Sequence, residues 1–148
     1  MLKGRDLVGF SGAHAAELAR LQEVAPSDLP RRYVDLLAFS NGGEGPLPVM
    51  PYNLCLDPAM TVVETIESRN HGRDDLEGFL IFGGNGGGEY LAFDLRIGLP
   101  WPIVVIDMVA EQITQRDGIG VIMMRAGIFL VRKTRVECRA FIHIRFAI

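Results

Sequence analysis

The sequence predicts an α+β fold in one domain, with N-terminal helices packed on a mainly antiparallel β-sheet. Helix punctuation is confined to the first half of the chain. The strand-like part begins at Phe79 and runs to the C-terminus. Helices first and strands afterwards are the pattern of an α+β domain. At 148 residues and 49% hydrophobic, the chain is long and apolar enough for one core and too short for two ordinary ones.

Each element has a local reason. Ser11 is a candidate N-cap for a helix running to Val24, with Leu18 and Leu21 as its apolar edge and Pro26 beyond its end. A second helix has Ser27 or Asp28 as cap and Pro30 in its first turn. Leu29, Tyr33, Leu36 and Leu37 follow at helical spacing. It stops at Asn41-Gly42-Gly43, where glycine supplies a positive φ. Pro46, Pro48 and Pro51 then make residues 44–56 extended, with at most an edge strand. Asp57-Pro58 starts a third helix to about Arg69, with Asp57 as an acidic cap, Pro58 at its first position, Met60, Val63 and Ile66 or Glu67 as the inner side on successive turns, and Asn70-His71-Gly72 as its stop.

Phe79-Leu80-Ile81-Phe82 is a continuous apolar run, as a central strand requires. From Glu89 to Leu95 the chain alternates, Leu91, Phe93 and Leu95 on one face and Tyr90, Ala92 and Asp94 on the other. Gly83-Gly84-Asn85-Gly86-Gly87-Gly88 joins the two as a hairpin loop with positive φ angles. Residues 102–109 form a further strand, and residues 118–148 alternate in short apolar runs.

The formal charge of -3 disfavours a basic nucleic-acid-binding protein. It is also a cancellation. Residues 1–110 hold 8 Lys+Arg and 15 Asp+Glu, a balance of -7, and residues 111–148 hold 7 and 3, a balance of +4. An acidic body with a basic tail invites an interaction reading; charge spread over solvated strand faces is the plainer one. Cys55 and Cys138 are too few for a disulfide scaffold and lack zinc spacing. With no leader-like apolar segment and no long apolar run, a cytoplasmic protein that spans no membrane is expected.

The motifs test poorly as catalytic machinery. Glu89, not a lysine, follows the glycine loop, so a phosphate cradle lacks its cation. Glu44, Glu89, Asp94 and Asp107 are candidates for a metal or an acid–base pair, yet positions 89 and 94 fall on opposite strand faces. His14, His71 and His143 form no i,i+4 pair, and Ser40 lacks the flanks of a nucleophile elbow. No catalytic residue, metal site or cofactor is expected. A small metal-dependent hydrolase built on Glu44, Glu89 or Asp94 stands as the alternative, beside a structural or oligomer-forming protein.

Taken together, several segments resemble the SUKH superfamily, the group around the Smi/Knr-type fungal cell-wall regulators. They are Leu29-Pro30-Arg31-Arg32-Tyr33-Val34-Asp35-Leu36-Leu37 closed by Ser40-Asn41-Gly42-Gly43-Glu44-Gly45, then Phe79-Leu80-Ile81-Phe82-Gly83, then Gly86-Gly87-Gly88-Glu89-Tyr90-Leu91-Ala92-Phe93-Asp94. The match covers residues 27–109. It implies a non-enzymatic binding domain, whose bacterial members act mainly as immunity proteins that bind and neutralise toxin domains. Glu44, Tyr52, Asn53, Glu89 and Asp94 are then the candidate partner contacts. Asn41, Gly42, Gly43, Gly86, Gly87 and Gly88 are turn-formers. The family's usual ending is a short acidic, phenylalanine-bearing helix, whereas residues 111–148 here are basic and strand-like. Three accounts of this tail stand open: a variant ending, a shifted reading frame near residue 110, or a strand that pairs with a second copy in a homodimer.

Overall fold

The computed structural model describes residues 8–46, 53–109, 120–125 and 128–132. The chain folds as α+β, with helices layered on an antiparallel sheet. Its strands are β1 (Val8–Gly9), β2 (Gly43–Pro46), β3 (Asn53–Leu56), β4 (Phe79–Gly84), β5 (Glu89–Asp94), β6 (Ile103–Asp107), β7 (Gly120–Arg125) and β8 (Ile128–Arg132). They lie side by side in chain order, every neighbouring pair antiparallel. The helices are α1 (Ala15–Val24), α2 (Arg31–Phe39) and α3 (Ala59–Glu67).

One face of the sheet carries the main core. Leu21, Tyr33, Leu37, Val62 and Val63 from the helices meet Leu56, Leu80, Phe82, Leu91, Phe93 and Val105 from the strands. Its centre is aromatic. Phe82 and Phe93 rings lie 4.7 Å apart, Tyr33 reaches both at 5.4 and 5.6 Å, and Trp101 closes the far side 6.4 Å from Phe93. Each such pair contributes about 0.5–1.5 kcal/mol beyond the area it buries.

The other face is buried as well, which alternation within Glu89–Leu95 does not predict. Ala92 is 0% and Val104 0% exposed, in a second cluster with Leu76, Phe79, Ile81 and Ile106. Leu76 belongs to a 3-10 turn (Asp74–Leu76) that brings the chain across this face. The crossing is set up by the turn Arg69–Gly72, where Arg69, Asn70, His71 and Gly72 have φ of 51°, 53°, 58° and 77°. Left-handed backbone costs roughly 1–2 kcal/mol per non-glycine residue. Asn70 Nδ2 offsets part of this by donating to Leu76 O at 2.7 Å, and the Ser68 hydroxyl accepts the His71 N–H at 3.1 Å.

Several local expectations are corrected. α1 starts at Ala15 after His14, whose N–H donates to the Glu17 carboxylate at 2.7 Å; Ser11 is not its cap. The Ser11 carbonyl instead accepts the Asn41 N–H at 2.9 Å. α3 begins after Pro58 as N-cap rather than with proline inside its first turn, which rotates the inward face. Val62 and Val63 are buried there, while Met60 is 38% exposed. Residues 43–46 and 53–56 are not edge elements at most: β2 bonds to β1 and β3, and β3 to β4. The close pairing depends on Gly83, where a Cβ would lie 2.2 Å from the Cys55 carbonyl oxygen.

Candidate functional site

The resemblance motifs fall at two glycine turns, and each is locked by an asparagine. At the first, α2 ends at Phe39 and the backbone reverses through Gly42 (φ 97°) and Gly43 (φ 135°) into β2. Ser40, 1% exposed, fixes the start of this turn. Its Oγ accepts the Phe10 N–H at 3.0 Å and its hydroxyl donates to Gly42 O at 2.6 Å. Asn41 points the other way. Its Oδ1 accepts the Ala59 N–H, the first donor of α3, at 2.7 Å. Its Nδ2 faces the Glu17 carboxylate of α1 at 3.4 Å. One side chain therefore supplies an acceptor to a helix end that its own local sequence leaves without a side-chain cap.

At the second turn, Asn85 organises the β4–β5 hairpin. Its Oδ1 accepts from Gly87 N–H at 2.8 Å and from Glu89 N–H at 3.2 Å, and its Nδ2 donates to the Glu89 carboxylate. Gly86 and Gly88 have φ of 71° and 91°; Gly87 has no positive φ and serves the loop through its N–H. A Cβ on Gly86 would lie 3.3 Å from Cys55 Sγ, so the loop folds down beside β3.

The candidate contact residues divide. Glu44 and Asn53 are exposed, on β2 and β3, and their register partners Cys55 and Pro46 put them on adjacent strands. Glu89 is half-buried and faces Asp107 directly across the β5–β6 ladder. Like charges so placed repel, and the Asn85 amide contact offsets part of that cost. Asp94 does not join them. It sits at the opposite end of β5, about 16 Å away at strand rise. Its side chain is 3% exposed, with Arg96 Nε and Nη2 each 2.8 Å from a carboxylate oxygen. Burial alone would raise the Asp94 pKa, but the side-chain and backbone hydrogen bonds from Arg96 outweigh it and hold the carboxyl below its usual range. Tyr52 lies outside the described residues.

Between the two turns lies a patch of altered acidity. Burial pushes the Asp57 carboxyl above its ordinary value. Burial also raises the Cys55 thiol, with Glu44 and Asp57 adding to the effect, which disfavours the thiolate of this free cysteine. Tyr33 is driven far up by burial and by the Asp57 charge, and its hydroxyl has no hydrogen-bond partner among the described residues. Among the described residues no three His, Cys, Asp or Glu side chains gather as metal ligands. Nor is any helix there long and apolar enough to cross a membrane.

The roles of Ser40 and Asn85 escaped sequence reasoning. Both sit beside glycines already marked as turns, and Asn or Ser next to a positive-φ glycine is the signal that points to side-chain locking.

Helices on one face of an antiparallel meander and two asparagine-locked glycine turns define an α+β single domain. The family model of the SMI1 / KNR4 family (SUKH-1) matches residues 12–118, and the chain belongs to that family. The match begins upstream of α1 and extends past β6, wider than the segments 27–109 that carry the resemblance. No curated protein matches the chain.

Proposed function

We propose that the chain is a non-enzymatic protein-binding module of the immunity type, which binds a toxin domain and blocks it inside the cytoplasm. The family match over residues 12–118 is the observation that carries this reading. The surface chemistry supports it. An inhibitor needs a complementary, preorganised face and no reaction centre. Glu44 and Asn53 share one sheet face on paired strands, and Glu89 stands on the other face at the mouth of the locked hairpin; together they make the strand ends an acidic rim. Tyr52 adjoins Asn53 in the chain. Such a rim suits a basic partner surface and speeds its capture. Asp94, committed to Arg96 and buried, is left out of the contact set.

Co-expression of the chain with toxin domains encoded beside it tests the reading. Rescue of growth and a stable complex are expected with one of them, and no protection from any would overturn it. Replacing Glu44 and Glu89 together by Lys should weaken the complex without unfolding the chain.

A further inference from the structure

At the end of the molecule away from the acidic rim, a groove of about 350 Å³ opens between the C-terminal ends of α1 and α3 and the start of β4. Its floor is apolar, from Val24, Ile66, Phe79, Leu80 and Leu95, and among the described residues no Asp or Glu lines it. Arg69 stands on its lip. Residues 8–109 contain six arginines, no lysine and fourteen carboxylates, so a cation here runs against the prevailing charge. Three of the six, Arg20, Arg73 and Arg96, are paired with carboxylates; Arg69 is exposed and makes no ion pair among the described residues. Leu95 leads into the β5–β6 turn, where Ile97 is 53% and Leu99 59% exposed. Arg96, 4.2 Å above the Phe79 ring, is held by Asp94 and leaves Arg69 as the cation of this site.

From this juxtaposition we infer that the groove binds an extended segment of a protein partner, one that inserts an aliphatic or aromatic side chain and sets a carboxylate against Arg69. The volume lies at the small end of ligand sites and holds one or two side chains, not a large cofactor. The exposed Ile97 and Leu99 extend the footprint beyond what a small molecule covers, which favours a macromolecular occupant. A guanidinium is the group suited to a carboxylate at the edge of an apolar pocket. The inference rests on the binding-module reading and adds a second contact pole of opposite charge preference to the acidic rim.

Backbone geometry at Arg69 provides a clean test. Its φ of 51° is one that glycine adopts at no steric cost, so Arg69→Gly removes the guanidinium while easing the turn. The probe is a pool of acetylated pentapeptide amides with Leu or Phe at the centre followed by Asp or Glu, beside the same pool with Asn or Gln. NMR titration of the full chain should show the acidic pool shifting the methyl signals of Val24, Ile66 and Leu95, with affinity about tenfold above the neutral pool. Arg69→Gly should raise the melting temperature yet abolish the preference for the acidic pool. Equal binding of the two pools, no binding, or an undiminished preference in Arg69→Gly would each overturn the inference. Protection by the wild-type chain from a neighbouring toxin would then still stand, so failure of the groove and failure of the immunity reading are separable.

Discussion

Asn41 Oδ1 accepts the Ala59 N–H at 2.7 Å, across eighteen residues, so the turn that ends α2 is also the cap that begins α3. With the Asn41 Nδ2 facing Glu17, the same side chain touches two of the three helices it does not belong to. Removing it leaves a helix donor without a side-chain partner. Asn41→Ala should destabilise the fold by about 1–2 kcal/mol, the usual range for a lost cap. Asn41→Asp keeps the acceptor but brings a charge toward Glu17, and should fall between the two. Urea unfolding at neutral pH measures both, and Asn41→Ala within 0.3 kcal/mol, or roughly the experimental error, would contradict the hub role.

Gly83 and Gly88 lie at the two ends of one hairpin and should respond differently to the same change. A Cβ at Gly83 meets the Cys55 carbonyl oxygen at 2.2 Å, a backbone atom that moves only if β3 moves. Gly83→Ala should cost about 1–3 kcal/mol or more, as overpacking does, and should loosen amide protection in β3. At Gly88 nothing lies within 4 Å, and only its φ of 91° opposes a side chain. Gly88→Ala should cost about 1 kcal/mol. Denaturation of the pair, with hydrogen exchange at Leu54 to Leu56, decides between clash and strain.

Asp94 and Asp57 predict opposite pH trends. The folded-state pKa of Asp94 is lowered, since hydrogen bonds from Arg96 overcome the burial that would raise it. Its contribution is therefore present above the unfolded carboxylate value, about 3.9, and is lost as pH falls through the lower folded value. Arg96→Ala strips the guanidinium but leaves the Arg96 N–H on Oδ1 at 3.0 Å. With Arg96 itself 41% exposed, the expected loss is about 1–3 kcal/mol at pH 7, shrinking in acid. Asp57 runs the other way. Burial raises its pKa, so ionisation disfavours the fold as pH climbs from the unfolded value through the folded one. Asp57→Asn should raise the melting temperature at pH 7 and have little effect at pH 3. Parallel melts of the two variants from pH 3 to pH 7 should diverge in sign.

What could be read from the chain was what short stretches of sequence decide. The all-apolar Phe79–Phe82 run became a strand buried on both faces, and the Tyr33 and Leu37 spacing became the inner face of α2. What could not be read depends on contacts between distant residues. The cap of α3 lies in another turn, so local grammar assigned it to Asp57 and put Met60 inside. Burial of Ala92 follows from Leu76 crossing the second face, and that path starts at three consecutive left-handed residues which no propensity anticipates. Among the candidate contacts, polarity alone could not tell exposed Glu44 from Asp94. The difference is Arg96, two residues on, whose position over Phe79 brings its guanidinium to the Asp94 carboxylate.

Glu89 serves both the hairpin and the proposed rim, and two substitutions separate those roles. Asn85→Ala removes the acceptor for Gly87 and Glu89 N–H groups and the amide that faces the Glu89 carboxylate. Glu89 then stands opposite Asp107 without that partner, and the hairpin should lose about 1–2 kcal/mol. Glu89→Gln ends the repulsion with Asp107 and keeps an oxygen that accepts from Asn85, so stability should hold or rise slightly. If the carboxylate meets a basic partner, Glu89→Gln should nonetheless weaken neutralisation of the toxin, mainly through slower association at low salt. Binding kinetics measured across ionic strengths, beside a urea melt of each variant, distinguish the cases. A Glu89→Gln variant that is stable and binds with wild-type salt dependence removes this carboxylate from the interface and leaves it a purely structural part of the turn.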